Sequence, residues 1–274
     1  MQRFRFGRFF LYLLILFFLC FWFSGGNTIL NFFDPALKTT IKQALDANQI
    51  SSLTNVTNET KNDLTSTYDR IYRLIALKSA VDSKIAKQNY VKLENISLSL
   101  QQAIIATEDN RFYTHPGFDV EGIMRASLVN LQYGEVTEGG STITQQLVKN
   151  LFLSQDRSLN RKMEEFALAV DMEMRYSKEE ILELYLNTIY FGSGFYGISE
   201  ASMGYFAKMP NELTLAEAAM LAGLPNAPSV YSPYVDFNAA KKRQSVVLSR
   251  MADTGYITPT IANETKSVPI YLAE

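Results

Sequence analysis

Helix starts punctuate this chain. Ser97, Asp119, Ser141-Thr142, Ser158, Ser177 and Thr214 each stand ahead of a run whose apolar residues recur three and four positions apart. A short polar side chain there accepts a hydrogen bond from a first-turn backbone N–H, which an α-helix cannot satisfy internally. Ser177-Lys178-Glu179-Glu180 adds the returning carboxylate of a capping box. The runs carry Leu100, Ala103 and Ile104; then Ile123, Met124, Leu128 and Leu131; then Ile143, Leu147 and Leu151. Leu159, Met163, Phe166 and Val170 follow, then Ile181, Leu184 and Leu186, and last Leu215 to Leu224 before Pro225. Alternating strand-like segments are nearly absent, so the fold class expected is mainly α.

The N-terminus follows a different rule. Phe9 to Phe23 is uninterrupted apolar sequence behind Arg3, Arg5 and Arg8. Extended to Leu30, it reaches the ~20 residues that a spanning helix needs. The basic residues orient it with the N-terminus in the cytoplasm, and Trp22 suits the outer interface. The expected organisation is a basic cytoplasmic tail over 1–8, a transmembrane anchor over 9–30 and a polar juxtamembrane linker over 31–67. A helical domain over 68–260 and a tail over 261–274 complete it.

Charge and composition exclude several classes. A net charge of -2 gives no global pull on nucleic acid. With one cysteine, Cys20, no intramolecular disulfide forms, so the exported domain stands on its core alone. With one histidine, His115, a multi-histidine metal site is excluded.

Four polar clusters carry chemistry. Glu108 and Asp109 close an apolar helix ahead of Phe112, His115 and Gly117. A carboxylate at a helix end beside a cleft has its pKa raised and serves as general base, whereas the same pair in a solvated turn does nothing. Gly139-Gly140-Ser141-Thr142, with Gln145, Gln146, Lys149 and Asn150, opens a helix whose free N–H groups suit a phosphate or pyrophosphate. An ordinary capped helix with a polar face fits the segment equally. Arg161, Lys162 and Glu165 share a helix face. They are either a surface ion-pair ladder of little energetic value or a second cleft carboxylate flanked by cations. Tyr190 to Ile198 is a glycine-aromatic loop, suited to a sugar site or to a tight interhelical turn.

In order and spacing these clusters resemble the peptidoglycan glycosyltransferase family, which comprises monofunctional enzymes and the matching domain of class A penicillin-binding proteins. The likeness runs from about Tyr68 to Tyr256 and includes Lys178, Tyr185-Leu186-Asn187, Leu215 to Ala219, Pro225, Pro228 and Tyr231. It implies a lysozyme-like helical glycosyltransferase domain with a smaller, membrane-proximal lobe. It also implies inverting polymerisation of lipid II on a polyprenyl-pyrophosphate-linked glycan at the outer face of the bacterial cell membrane. On that resemblance Glu108 is the expected general base, and Lys149, Arg161 and Lys162 supply positive charge near Ser141 and Thr142. Asp109, Gln145, Gln146 and Asn150 are expected to hold the surrounding groups. Glu165 is expected to orient the cations or to help hold a divalent metal, magnesium or manganese. No organic cofactor is implied. The partners implied are the lipid-linked substrates, the membrane and other cell-wall synthesis proteins.

The transpeptidase signatures S-x-x-K and K-T-G are absent, so a glycosyltransferase alone is expected, either monofunctional or a piece of a longer chain. A lysozyme-type wall hydrolase also uses a glutamate in a helical cleft. It has no need of a cationic pyrophosphate cradle, and the Gly140 to Asn150 segment favours synthesis. An inactive membrane scaffold is the remaining alternative.

Overall fold

The computed structural model describes residues 76–85, 88–133, 139–154 and 158–273. In chain order the helices are α1 (Leu77–Lys84), α2 (Leu98–Glu108), α3 (Val120–Tyr133), α4 (Ile143–Phe152), α5 (Leu159–Arg175) and α6 (Lys178–Thr188). They continue with α7 (Gly197–Phe206), α8 (Leu215–Gly223), α9 (Pro228–Tyr231), α10 (Phe237–Asp253) and α11 (Pro259–Lys266). Among the described residues there is no β-strand, only an isolated bridge between Tyr190 and Tyr196.

The predicted caps are in place. Ser97, Thr142, Ser158, Ser177 and Thr214 each accept a hydrogen bond from the N–H three residues on, and Asp119 accepts one from Gly122. Thr142 with Gln145, Ser177 with Glu180 and Thr214 with Glu217 complete capping boxes. Each such cap stabilises its helix by about 1 kcal/mol.

The core forms around α8. Ala216 through Gly223 are all buried, as expected of a helix apolar on every side. Its small side chains let α2 pack on one flank and α10 on another. Next to this group, α4 packs against both α5 and α6. Ile143, Leu147, Leu168, Met172, Ile181 and Tyr185 fill the space among those three helices. Helix α3 differs: Ile123, Met124, Leu128 and Leu131 all project into solvent.

Two features depart from the sequence reading. The tail drawn over 261–274 belongs to the domain: α11 packs against α10, Ala262 lies in the core, and Ala273 N–H bonds Tyr205 O at 2.8 Å. Helices α1, α7, α9 and α10 were also not foreseen. The anchor over 9–30 and the linker over 31–67 lie outside the described residues. Among the described residues no helix is long and apolar enough to cross a membrane.

Candidate active site

A cleft of about 550 Å³ opens between the C-terminal end of α2, the start of α4 and one face of α10. Glu108, the last residue of α2, lines it. The Gln146 side-chain amide, one turn into α4, donates to Glu108 Oε2 at 2.8 Å. Tyr185 of α6 donates to Gln146 Oε1 at 3.0 Å from its fully buried ring. Burial raises the Glu108 pKa above the ordinary carboxylate value, and the Gln146 bond and the charges of Arg243 and Arg250 offset this only in part. Glu108 nevertheless keeps some surface open to the cleft, so a reacting hydroxyl can reach a carboxylate primed to take a proton.

Asp109 turns the other way. Both its oxygens lie 2.9 Å from His115 Nε2, and Oδ2 also accepts from Ile143 N–H at 3.0 Å. Three N–H groups at the start of α4 already have partners. Ile143 N–H is held by Asp109, Gln145 N–H by Thr142 Oγ1 at 3.1 Å, and Thr142 N–H by Gln145 Oε1 at 3.0 Å. Thr142 Oγ1 in turn donates to Gly117 O at 2.8 Å. Asp109, Thr142 and Gln145 thus hold the helix start, and Asp109 and Thr142 also line the cleft beside Gly139, Gly140 and Ser141.

Ser141 and Lys149 do face the cleft, and Lys149 has no carboxylate partner among the described residues. Lys162 donates to Ser141 Oγ at 3.2 Å and also pairs with Glu165. Glu165 is 2% exposed and accepts from Arg161 at 2.8 Å on its other oxygen. The third cluster is therefore a buried carboxylate beneath two cations, not an exposed ladder. Glu165, Arg161 and Lys162 do not line the cleft themselves; they reach it through Ser141. Asn150 is exposed and also stands apart from it.

The site includes residues that the sequence reading passed over. Arg243 and Arg250, two turns apart on α10, line the cleft wall opposite α4. Arg250 donates to Thr107 O at 2.8 Å, and Arg243 donates to Gly223 O at 3.3 Å. Their seven-residue spacing was the available signal, since it puts both on one helix face. The glycine-aromatic loop is a tight turn joining α6 to α7. Phe191 N–H bonds Phe195 O and Phe195 N–H bonds Gly192 O, both at 2.9 Å, and Ser193 Oγ sits 2.6 Å from Ser232 Oγ.

Residues 76–252 match the family model described as Transglycosylase. The chain belongs to the peptidoglycan glycosyltransferase family. Penicillin-binding protein 1A of Aquifex aeolicus is 47% identical over 186 residues, 68% of this chain and 26% of that protein. Penicillin-binding protein 1A of Escherichia coli is 49% identical over 180 residues, covering 66% and 21%. Penicillin-binding protein 1F of Bacillus subtilis is 46% identical over 168 residues, covering 61% and 24%. The chain thus spans about a quarter of the length of these relatives. Within this glycosyltransferase domain the matched stretch contains every cleft-lining residue up to Arg250 and leaves only Asp253 and Thr254 beyond it.

Proposed function

We propose that this chain polymerises lipid II into glycan strands and releases polyprenyl pyrophosphate, with inversion at the anomeric carbon. The observation that carries this is Glu108: a carboxylate of raised proton affinity facing a cleft whose walls bear Lys149, Arg243 and Arg250. The 4-hydroxyl oxygen of the acceptor sugar attacks the donor anomeric carbon, and its proton passes to Glu108. The bond from that carbon to the pyrophosphate oxygen breaks, and the electron pair leaves with the phosphate. Attack opposite the leaving group inverts the centre without a covalent intermediate.

A pyrophosphate leaving group needs positive charge more than a proton. Lys149 supplies it directly, and Lys162 supplies it through Ser141. Glu165 holds Lys162 and Arg161 in place.

The Glu165 donor set does not suit a protein-held cation. Both its oxygens are occupied by Arg161 and Lys162, and among the described residues no three acidic, histidine or cysteine side chains cluster. No step is assigned to a metal. A magnesium or manganese ion would arrive on the substrate phosphates.

The membrane enters by the same reasoning. Both substrates carry lipid tails, and α3 offers exposed Ile123, Met124, Leu128 and Leu131 beside the cleft residues Asp119 and Gly122. Together with the expected anchor over 9–30, this supports a domain that works against the outer face of the cell membrane.

The test is polymerisation of purified lipid II by the detergent-solubilised full chain, alongside Glu108→Gln. Strands from the wild type and a loss of about 10²-fold or more in the variant are expected for a positioned base. Cleavage of finished glycan would instead mark a hydrolase. A folded wild type that does neither would mark a scaffold.

A further inference from the structure

Tyr185 is the largest polar side chain buried without solvent contact near the cleft, and the chemistry above does not use it. It does not line the cleft. Its hydroxyl is spent on one partner near the site, Gln146 Oε1, at 3.0 Å. The other end of that amide donates to Glu108 Oε2 at 2.8 Å.

An amide side chain has two ends of opposite character and similar shape. Its nitrogen stabilises an ionised carboxylate, whereas its oxygen stabilises a protonated one. We propose that Tyr185 is a positioning residue for the base: its hydroxyl holds the oxygen end of Gln146, so that the NH₂ end faces Glu108. The inference rests on Glu108 acting as the general base.

Tyr185 suits the task. Burial, and then the negative charge of Glu108 and Asp109, keep its phenol protonated well above the usual range, so it offers a donor at every working pH. The other groups acting on Glu108 are Arg243 and Arg250 from α10 and Asp109 beside it. The two arginines favour ionisation and Asp109 opposes it, and none of them touches the Gln146 amide. Orientation of that amide is thus left to Tyr185.

Tyr185→Phe keeps the ring and removes the hydroxyl. The amide is then free to flip, the ionised form of Glu108 loses a fixed donor, and its titration moves upward. The acidic limb of kcat for lipid II polymerisation should rise by about one pH unit, the scale of one hydrogen bond to a charged group. Activity below the limb should fall about 10-fold and recover to within about twofold above it. Gln146→Leu should give the same shift, and Tyr185→Phe should add nothing in that background.

An unmoved limb with kcat lowered equally at all pH would make Tyr185 a packing residue and overturn the proposal, as would additive shifts in the double variant. Infrared difference titration of the Glu108 carboxyl, with Glu108→Gln subtracted, reads the same shift without turnover. Absence of polymerisation by the wild type therefore overturns the proposed reaction and leaves this inference to the titration. Should Tyr185→Phe fail to fold, Gln146→Leu still decides: an unmoved Glu108 titration there overturns the proposal.

Discussion

Asp109 accepts a hydrogen bond from Ile143 N–H at 3.0 Å across a separation of 34 residues. The residue beside the proposed base is thus what fixes the first turn of α4, and Gln146 on that helix in turn holds Glu108. Asp109→Ala would leave Ile143 N–H and His115 Nε2 buried without their acceptor. The expected loss is about 1–3 kcal/mol, or about 2–4 °C in the thermal midpoint per kcal/mol for a domain of this size. Activity should fall as well, because α4 carries both Gln146 and Lys149. An unchanged midpoint would show that the cap contributes nothing.

The pH dependence of turnover follows from Glu108. Its pKa is raised by burial above 4.5, and a base works when ionised, so activity should rise with pH through a midpoint above that of a free glutamate. Arg243 favours the ionised form. Arg243→Gln should move the limb further upward, while Arg243→Lys should leave it close to the wild type. A limb that stays put in Arg243→Gln would show the guanidinium and the carboxylate to be uncoupled.

The same burial has a cost in stability. A group whose folded pKa is raised favours folding most below its unfolded value, and that contribution is lost as pH rises through the folded value. Glutamine mimics the protonated form. Glu108→Gln should therefore unfold at a higher temperature than the wild type at neutral pH, with the gap closing at pH 4. A variant less stable at both pH values would contradict the assigned direction of the shift.

The helix starts were legible because a cap is local: Ser177 and Glu180, or Thr142 and Gln145, are three residues apart. The Asp109–Ile143 bond was not, since nothing in the sequence pairs residues so far apart. Helix α10 was missed for a different reason. Its buried Ala240, Val247, Leu248 and Met251 are interleaved with Lys241, Lys242, Arg243 and Arg250, so its apolar stripe is thin. Its arginines acquire meaning only when the fold sets them opposite Glu108. Glu165 was read correctly as sharing a face with Arg161 and Lys162. Its depth was not foreseeable, because the α4–α5 packing that buries it is tertiary.

Gly192 gives a test of the loop between α6 and α7. Its φ is +87°, and an added Cβ would meet Pro228 O at 2.5 Å. Both the left-handed backbone and the carbonyl contact oppose a side chain there. Gly192→Ala should destabilise by more than about 1 kcal/mol, whereas Gly194→Ala, with the same positive φ but open space around it, should lose less. Equal losses at both positions would assign the effect to backbone conformation alone.

The apolar face of α3 separates membrane engagement from folding. Leu128 and Leu131 are 66% and 81% exposed, so replacing both by serine removes little packing. The thermal midpoint should stay within about 1–2 °C, as for surface changes within ±0.5 kcal/mol. Each exposed leucine that enters a bilayer contributes about 1.5–3 kcal/mol. The double variant should therefore polymerise lipid II in vesicles at least about tenfold more slowly while matching the wild type in detergent, where no bilayer has to be engaged. Equal rates in vesicles would mean that the face does not insert and that the N-terminal run alone brings the domain to its substrate.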